Sequence, residues 1–127
     1  MVIGFNEQFP DKILAGTKKH TIRVDQHDRW HAGMKMHMAV GVRTKSYLCF
    51  KLDTCKSTQI IDIDYYLGMK YPMVVIDGCH FYNPYLNIDK GMLELSQNDG
   101  FESIEAFFEW FNKDFIGKLI HWTDLRY

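Results

Sequence analysis

Between Gly33 and Gly41 the chain alternates: Met34, Met36, Met38 and Val40 are apolar at every second position, with Lys35, His37 and Ala39 between them. A period of two describes a strand with one face on a core and the other toward solvent. One such strand is not stable alone and must find partners along the chain. Residues 46–52, 59–63 and 73–76 supply apolar segments of strand length, and 115–122 reads as the closing strand. Asp77-Gly78 and Asn98-Asp99-Gly100 mark turns. Residues 81–86, interrupted by Pro84, read as an irregular loop, and Leu93 and Leu95 begin a further ordered piece.

Two segments follow a helical pattern instead. Phe9-Pro10-Asp11 leads into a short run that stops at Gly16, with Pro near the first turn and Gly as terminator. Ser103 is suited to cap a helix in which Ile104, Phe107, Phe108 and Phe111 form one apolar stripe. Glu102 and Glu105 suit its N-terminal end. Short helices interleaved with several strands, without regular βαβ units, predict an α+β fold. At 127 residues the chain can build one core, so residues 1–127 are read as a single domain.

No apolar run approaches the roughly 18 residues a membrane span requires. No basic segment followed by an apolar one opens the chain, and a cytoplasmic location is expected. Cys49, Cys55 and Cys79 are odd in number and widely spaced, which does not describe a disulfide scaffold. Cys49, inside an apolar run, is expected to act as a small buried hydrophobe. Fifteen Lys and Arg stand against sixteen Asp and Glu, so the chain is not a general nucleic-acid coat. Positive charge is local instead. Residues 12–45 hold eight Lys and Arg with only Asp25 and Asp28 as acids, whereas 89–109 is acidic. No Gly-rich phosphate loop occurs, and no cofactor is expected. His27, His31 and His37 lack structural zinc spacing, and no metal site is assigned.

The run Ile13-Leu14-Ala15-Gly16-Thr17-Lys18-Lys19-His20-Thr21-Ile22-Arg23 resembles the signature of the ASCH domain family, a short helix followed by Gly-x-Lys and then Thr-Ile-Arg. Trp30-His31-Ala32-Gly33 before the Met-rich strand, Asp99-Gly100-Phe101 before the Phe-rich helix, and residues 117–124 resemble later parts of the same pattern. The resemblance implies a PUA-like fold, a partly closed β-barrel with short flanking helices. It implies RNA or a nucleotide or nucleoside as ligand. Some members resemble amidohydrolases that deacetylate N4-acetylcytidine with a lysine, a threonine and a glutamate. By motif these fall on Lys18, Thr21 and, as an aspartate, Asp99, with Glu94 and Glu102 as neighbouring alternatives.

Deacetylation needs a nucleophile, a base and donors for the developing oxyanion. Thr21 is a weak nucleophile that a desolvated Lys18 would activate, with Asp99 orienting the lysine or holding a water or the substrate amine. Arg23 would pair with a phosphate or a carboxylate. Lys19, His20 and Arg43 are further candidate ligand contacts, and Trp30 and Tyr82, in loop-like stretches, are candidate stacking surfaces. Binding of RNA or a nucleotide ranks first, because it follows from the family whichever carboxylate completes the site, and the three readings make different demands. A binding module requires an open cleft with positive charge around Lys18, Lys19, Arg23 and Arg43. A hydrolase requires a closed pocket holding Lys18, Thr21 and a carboxylate. An interaction protein requires an exposed apolar patch and no pocket. Oligomeric state is not encoded in any of these features.

Overall fold

The computed structural model describes residues 1–127. Strand β1 is Val2–Gly4, helix α1 Pro10–Leu14, β2 His20–Arg23, β3 Lys35–Val40, β4 Leu48–Thr54 and β5 Ser57–Asp64. A 3₁₀ turn at Tyr66–Gly68 precedes β6 Met73–Ile76, β7 Cys79–Asn83 and β8 Ile88–Asp89. Helices α2 Met92–Asn98 and α3 Ile104–Trp110 follow, and β9 Phe115–His121 comes last. No helix is long and apolar enough to cross a membrane.

The strands form two sheets, one ordered β1-β3-β4 and the other β2-β9-β5-β6-β7-β8. This overturns the expected barrel. A barrel needs a continuous ring of paired strands, but here β1 and β4 are unpaired edges of one sheet, and β2 and β8 of the other. The chain steps between the sheets at Cys55 and Lys56: Cys55 N–H bonds to Met34 O (2.8 Å) beside β3, and Lys56 N–H to His121 O (2.7 Å) on β9. The α+β class holds; the architecture is two open sheets.

β9 is not a closing strand but a central one, antiparallel to β2 on one side and to β5 on the other. Its alternation serves both faces. Leu119 joins Ile61, Ile63, Val74, Leu95 and Phe107 in the core under α2 and α3. Ile120 faces the opposite way and joins Ile3, Ile13, Met36, Met38 and Trp122, the core between α1 and the smaller sheet. The alternating methionines of β3 are thus buried as their period demands.

Residues 81–86 depart from the expected loop. Phe81, Tyr82 and Asn83 belong to β7, paired with β6 across the two-residue Asp77-Gly78 turn. Such a turn joins strands on both sides. Ser103 caps α3 as expected, its Oγ accepting from Ala106 N–H (3.1 Å). Cys49 is half-buried, Cys55 is the buried cysteine and Cys79 is exposed.

Candidate functional site

Helix α1 and the loop after it fold back on themselves. Gly16 sits at φ +81°, a conformation that glycine adopts without steric cost. This reversal lets the N–H groups of Thr17 (2.9 Å) and Lys18 (3.0 Å) bond to the carbonyl of Lys12. It also carries Lys18 against the end of α2. A helix end leaves carbonyls without partners, and three consecutive ones are met from this segment. Lys19 N–H bonds to Asn98 O (2.7 Å), Lys18 Nζ to Asp99 O (2.5 Å) and Lys12 Nζ to Gly100 O (2.6 Å). Gly100, at φ +98°, lies so close that a Cβ there would stand 3.0 Å from the Phe9 ring and 3.2 Å from Lys18 Cδ.

The result is a recessed pocket of about 200 Å³ into which Lys18, Thr21, Arg23 and Asp99 all open. Lys18 is only 2% exposed. Its ammonium also faces Asp99 Oδ1 (3.4 Å) and the Phe9 ring, 4.5 Å from the centroid. Burial removes water from the ammonium and pulls the Lys18 pKa below its ordinary 10.5, with the Asp99 carboxylate opposing that shift. On β2, Thr21 and Arg23 point to the same face, as residues two apart on a strand do. Arg23 Nε donates to Thr21 Oγ1 (3.1 Å) and Nη2 to Gly4 O (2.6 Å). Phe9, Phe101 and Trp110 form the apolar wall, their rings mutually 5.6 to 5.8 Å apart.

His20 points from the opposite face of β2. It is fully buried and does not line the pocket. Its Nδ1 lies 3.0 Å from Asp99 Oδ1 and its Nε2 2.7 Å from the Tyr127 hydroxyl. A carboxylate only accepts, so Nδ1 carries the proton and Nε2 receives the Tyr127 hydroxyl proton. Asn98 Nδ2 in turn donates to the Tyr127 oxygen (3.1 Å). Burial lowers the His20 pKa and raises that of Tyr127, which favours both neutral forms. Behind them, Gln59 Oε1 accepts from Tyr127 N–H (2.9 Å) and His121 Nε2 (3.0 Å). Burial pushes His121 down to about 3, and its Nδ1 has no partner.

Of the nine residues that the sequence names for the site, the fold brings Lys18, Thr21, Arg23 and Asp99 together. The other candidates lie elsewhere. His20 is a support behind Asp99 and cannot touch a ligand, because its strand neighbour Thr21 takes the pocket face. Trp30 packs in the smaller core and Tyr82 in the larger one, 5.9 Å from Phe108, so neither ring stands free for stacking. Arg43 is exposed in the turn after β3 and lines no part of the pocket. Lys19 is half-buried outside it. Glu94 and Glu102 are also absent from its lining. The wall of Phe9, Phe101 and Trp110, and the support from His20, Asn98 and Tyr127, were not anticipated. Phe9 stands four residues before the first motif and Phe101 inside the second, and that proximity was the only signal available.

No group of three or more His, Cys, Asp or Glu side chains converges as a metal site would require. A larger cleft of about 650 Å³ lies between the 3₁₀ turn and α3, lined by Tyr65, Tyr71, Phe108, Glu105 and Glu109 among others. It contains no buried ion pair and no nucleophile beside a base. Comparison with family models, with curated proteins and with solved structures found no match for this chain.

Proposed function

We propose that the Lys18 pocket hydrolyses a small amide, an acyl group on the exocyclic nitrogen of a nucleoside base. The observation that carries this reading is a buried lysine fixed by a carboxylate in a pocket that also holds a threonine hydroxyl and a guanidinium. A binding module of the kind set out above would present Lys18, Lys19, Arg23 and Arg43 along an open surface. Here Lys18 is enclosed and Arg43 is remote. The aromatic wall and the size of the pocket suit one planar ring. The choice of a cytosine-type base rests on the resemblance of residues 13–23 to ASCH domains.

In the proposed reaction, neutral Lys18 takes the proton of the Thr21 hydroxyl as Thr21 Oγ attacks the acyl carbon. The carbonyl electron pair moves to its oxygen, where the Arg23 guanidinium meets the developing charge. The resulting Lys18 ammonium returns its proton to the leaving nitrogen as the C–N bond breaks, freeing the amine. Water, deprotonated by Lys18, then adds to the Thr21 ester, and as the bond between the acyl carbon and Thr21 Oγ breaks the Lys18 ammonium returns that proton to Oγ, releasing the carboxylic acid and restoring both groups. Asp99 keeps the lysine Nζ in place throughout, and His20 keeps Asp99 in place.

The test is release of acetate and cytidine from N4-acetylcytidine by the purified protein, followed by chromatography. Lys18→Ala and Thr21→Ala should each lower kcat by at least about 100-fold while the circular dichroism spectrum is retained, the scale of a lost base or nucleophile. Absence of turnover by folded wild-type protein would reject the reaction.

A further inference from the structure

A second cleft, of about 400 Å³, shares Gly4 and Arg23 with the pocket and continues past them. Its remaining polar lining comes from Asp25, Gln26, His27 and Arg29. The pocket itself has space for a base and its acyl group, and a sugar attached to that base must leave through the shared side or through solvent.

Three features of the second cleft suit an anion. First, Arg23 is only partly engaged. Nε and Nη2 hold Thr21 and Gly4, while Nη1 has no hydrogen-bond partner and the side chain borders both spaces. Second, Arg29 makes no ion pair, and its side chain is exposed. Third, the one carboxylate in the cleft is already saturated. Asp25 Oδ1 accepts from Arg29 N–H (2.8 Å), and Oδ2 accepts from Trp30 N–H (2.9 Å) and faces Lys118 Nζ (3.1 Å). Asp25 thus shapes the loop that presents Arg29 instead of binding the Arg29 side chain. Arg23 and Arg29 both line this cleft, so the guanidinium beside Thr21 and the exposed arginine border one space.

Building on the hydrolase reading of the pocket, we propose that this second cleft is a phosphate subsite, and that the substrate is a 5′-phosphorylated nucleoside whose base enters the Lys18 pocket. Arg29 suits this task because its planar donors match two phosphate oxygens at once, and Arg23 adds one N–H of Nη1, the other facing the acyl oxygen. The phosphate belongs either to a free nucleotide or to a nucleic-acid strand, which present the same group to Arg23 and Arg29.

The experiment compares kcat/KM for N4-acetylcytidine, its 5′-monophosphate and a trinucleotide with the acetylated base in the centre. The monophosphate should be preferred by about tenfold or more, the value of one charged hydrogen bond. Arg29→Ala should abolish that preference and leave hydrolysis of the nucleoside at the wild-type rate. A further gain with the trinucleotide assigns the phosphate to a strand, whereas none assigns it to a free nucleotide. Equal rates on nucleoside and monophosphate would overturn the subsite while leaving the hydrolase intact. If no substrate is turned over, the hydrolase reading fails, and calorimetry with cytidine and cytidine 5′-monophosphate decides the subsite. Tighter binding of the monophosphate, lost in Arg29→Ala, supports it, and equal or absent binding overturns it.

Discussion

Asp99 is held by two neighbours at once. Its backbone carbonyl and Oδ1 both face the Lys18 ammonium, and the same Oδ1 accepts a hydrogen bond from His20 Nδ1–H. Burial and this carboxylate act on Lys18 in opposite senses: burial favours the neutral amine, and the charge of Asp99 favours the ammonium. Burial is the larger influence, so the base form is populated at a lower pH than for a free lysine. The rise of kcat/KM with pH should therefore fall below 10.5. Asp99→Asn removes the group that favours the ammonium, so the rise should move to still lower pH while the maximal rate drops. A pH–rate profile of the two proteins checks this, and an unmoved limb would separate Lys18 from the base role.

Among the elements, the end of α2 controls the pocket because it meets Lys12, Lys18 and Lys19 together. Gly100→Ala forces a side chain into left-handed backbone and against Phe9 and Lys18. It should cost about 1–3 kcal/mol in urea denaturation, as strained backbone and overpacking do. Activity should fall further than that loss of stability explains, because Lys18 Cδ is displaced. Local elements were legible in the sequence. The α3 cap and stripe, the α1 stop at Gly16 and the β3 alternation depend on residues within a few positions of one another. Pairing was less legible, because alternation states that β9 is a strand and not which strands flank it. β7 was hidden by the irregular composition of residues 79–83, although the Asp77-Gly78 turn implied its presence. β1 has only three residues, too few for a period. The same division holds in the site. Lys18, Thr21 and Arg23 lie within one motif, whereas the support given by His20 requires Tyr127, 107 positions away.

Across the molecule, buried histidines tie stability to pH. The folded state holds His20 and His121 below their ordinary 6.5, His121 at about 3. Between the folded and unfolded values the unfolded chain binds more protons, so acid favours unfolding. Stability should be full above pH 6.5 and decline as the pH falls toward 3, by up to about 1.4 kcal/mol per pH unit for His121, with His20 acting in the same direction. His121→Gln, which keeps a donor for Gln59, should flatten the decline; urea midpoints between pH 7 and 4 measure it. An equally steep decline in that variant would place the acid sensitivity elsewhere.

The pairing of β2 with β9 has a consequence in time. His20 pairs with His121 and Arg23 with Lys118, so strands near opposite ends of the sequence lie side by side. During synthesis β2 emerges early and has no neighbour until nearly a hundred further residues have been added. Contacts this distant along a chain form slowly, because the intervening loop must close first. Until then both sides of β2 are unpaired and open to association with other strands, whereas in the finished sheet only its outer side is. A chain that ends before residue 118 leaves β2 without the strand that holds Thr21 and Arg23 in register.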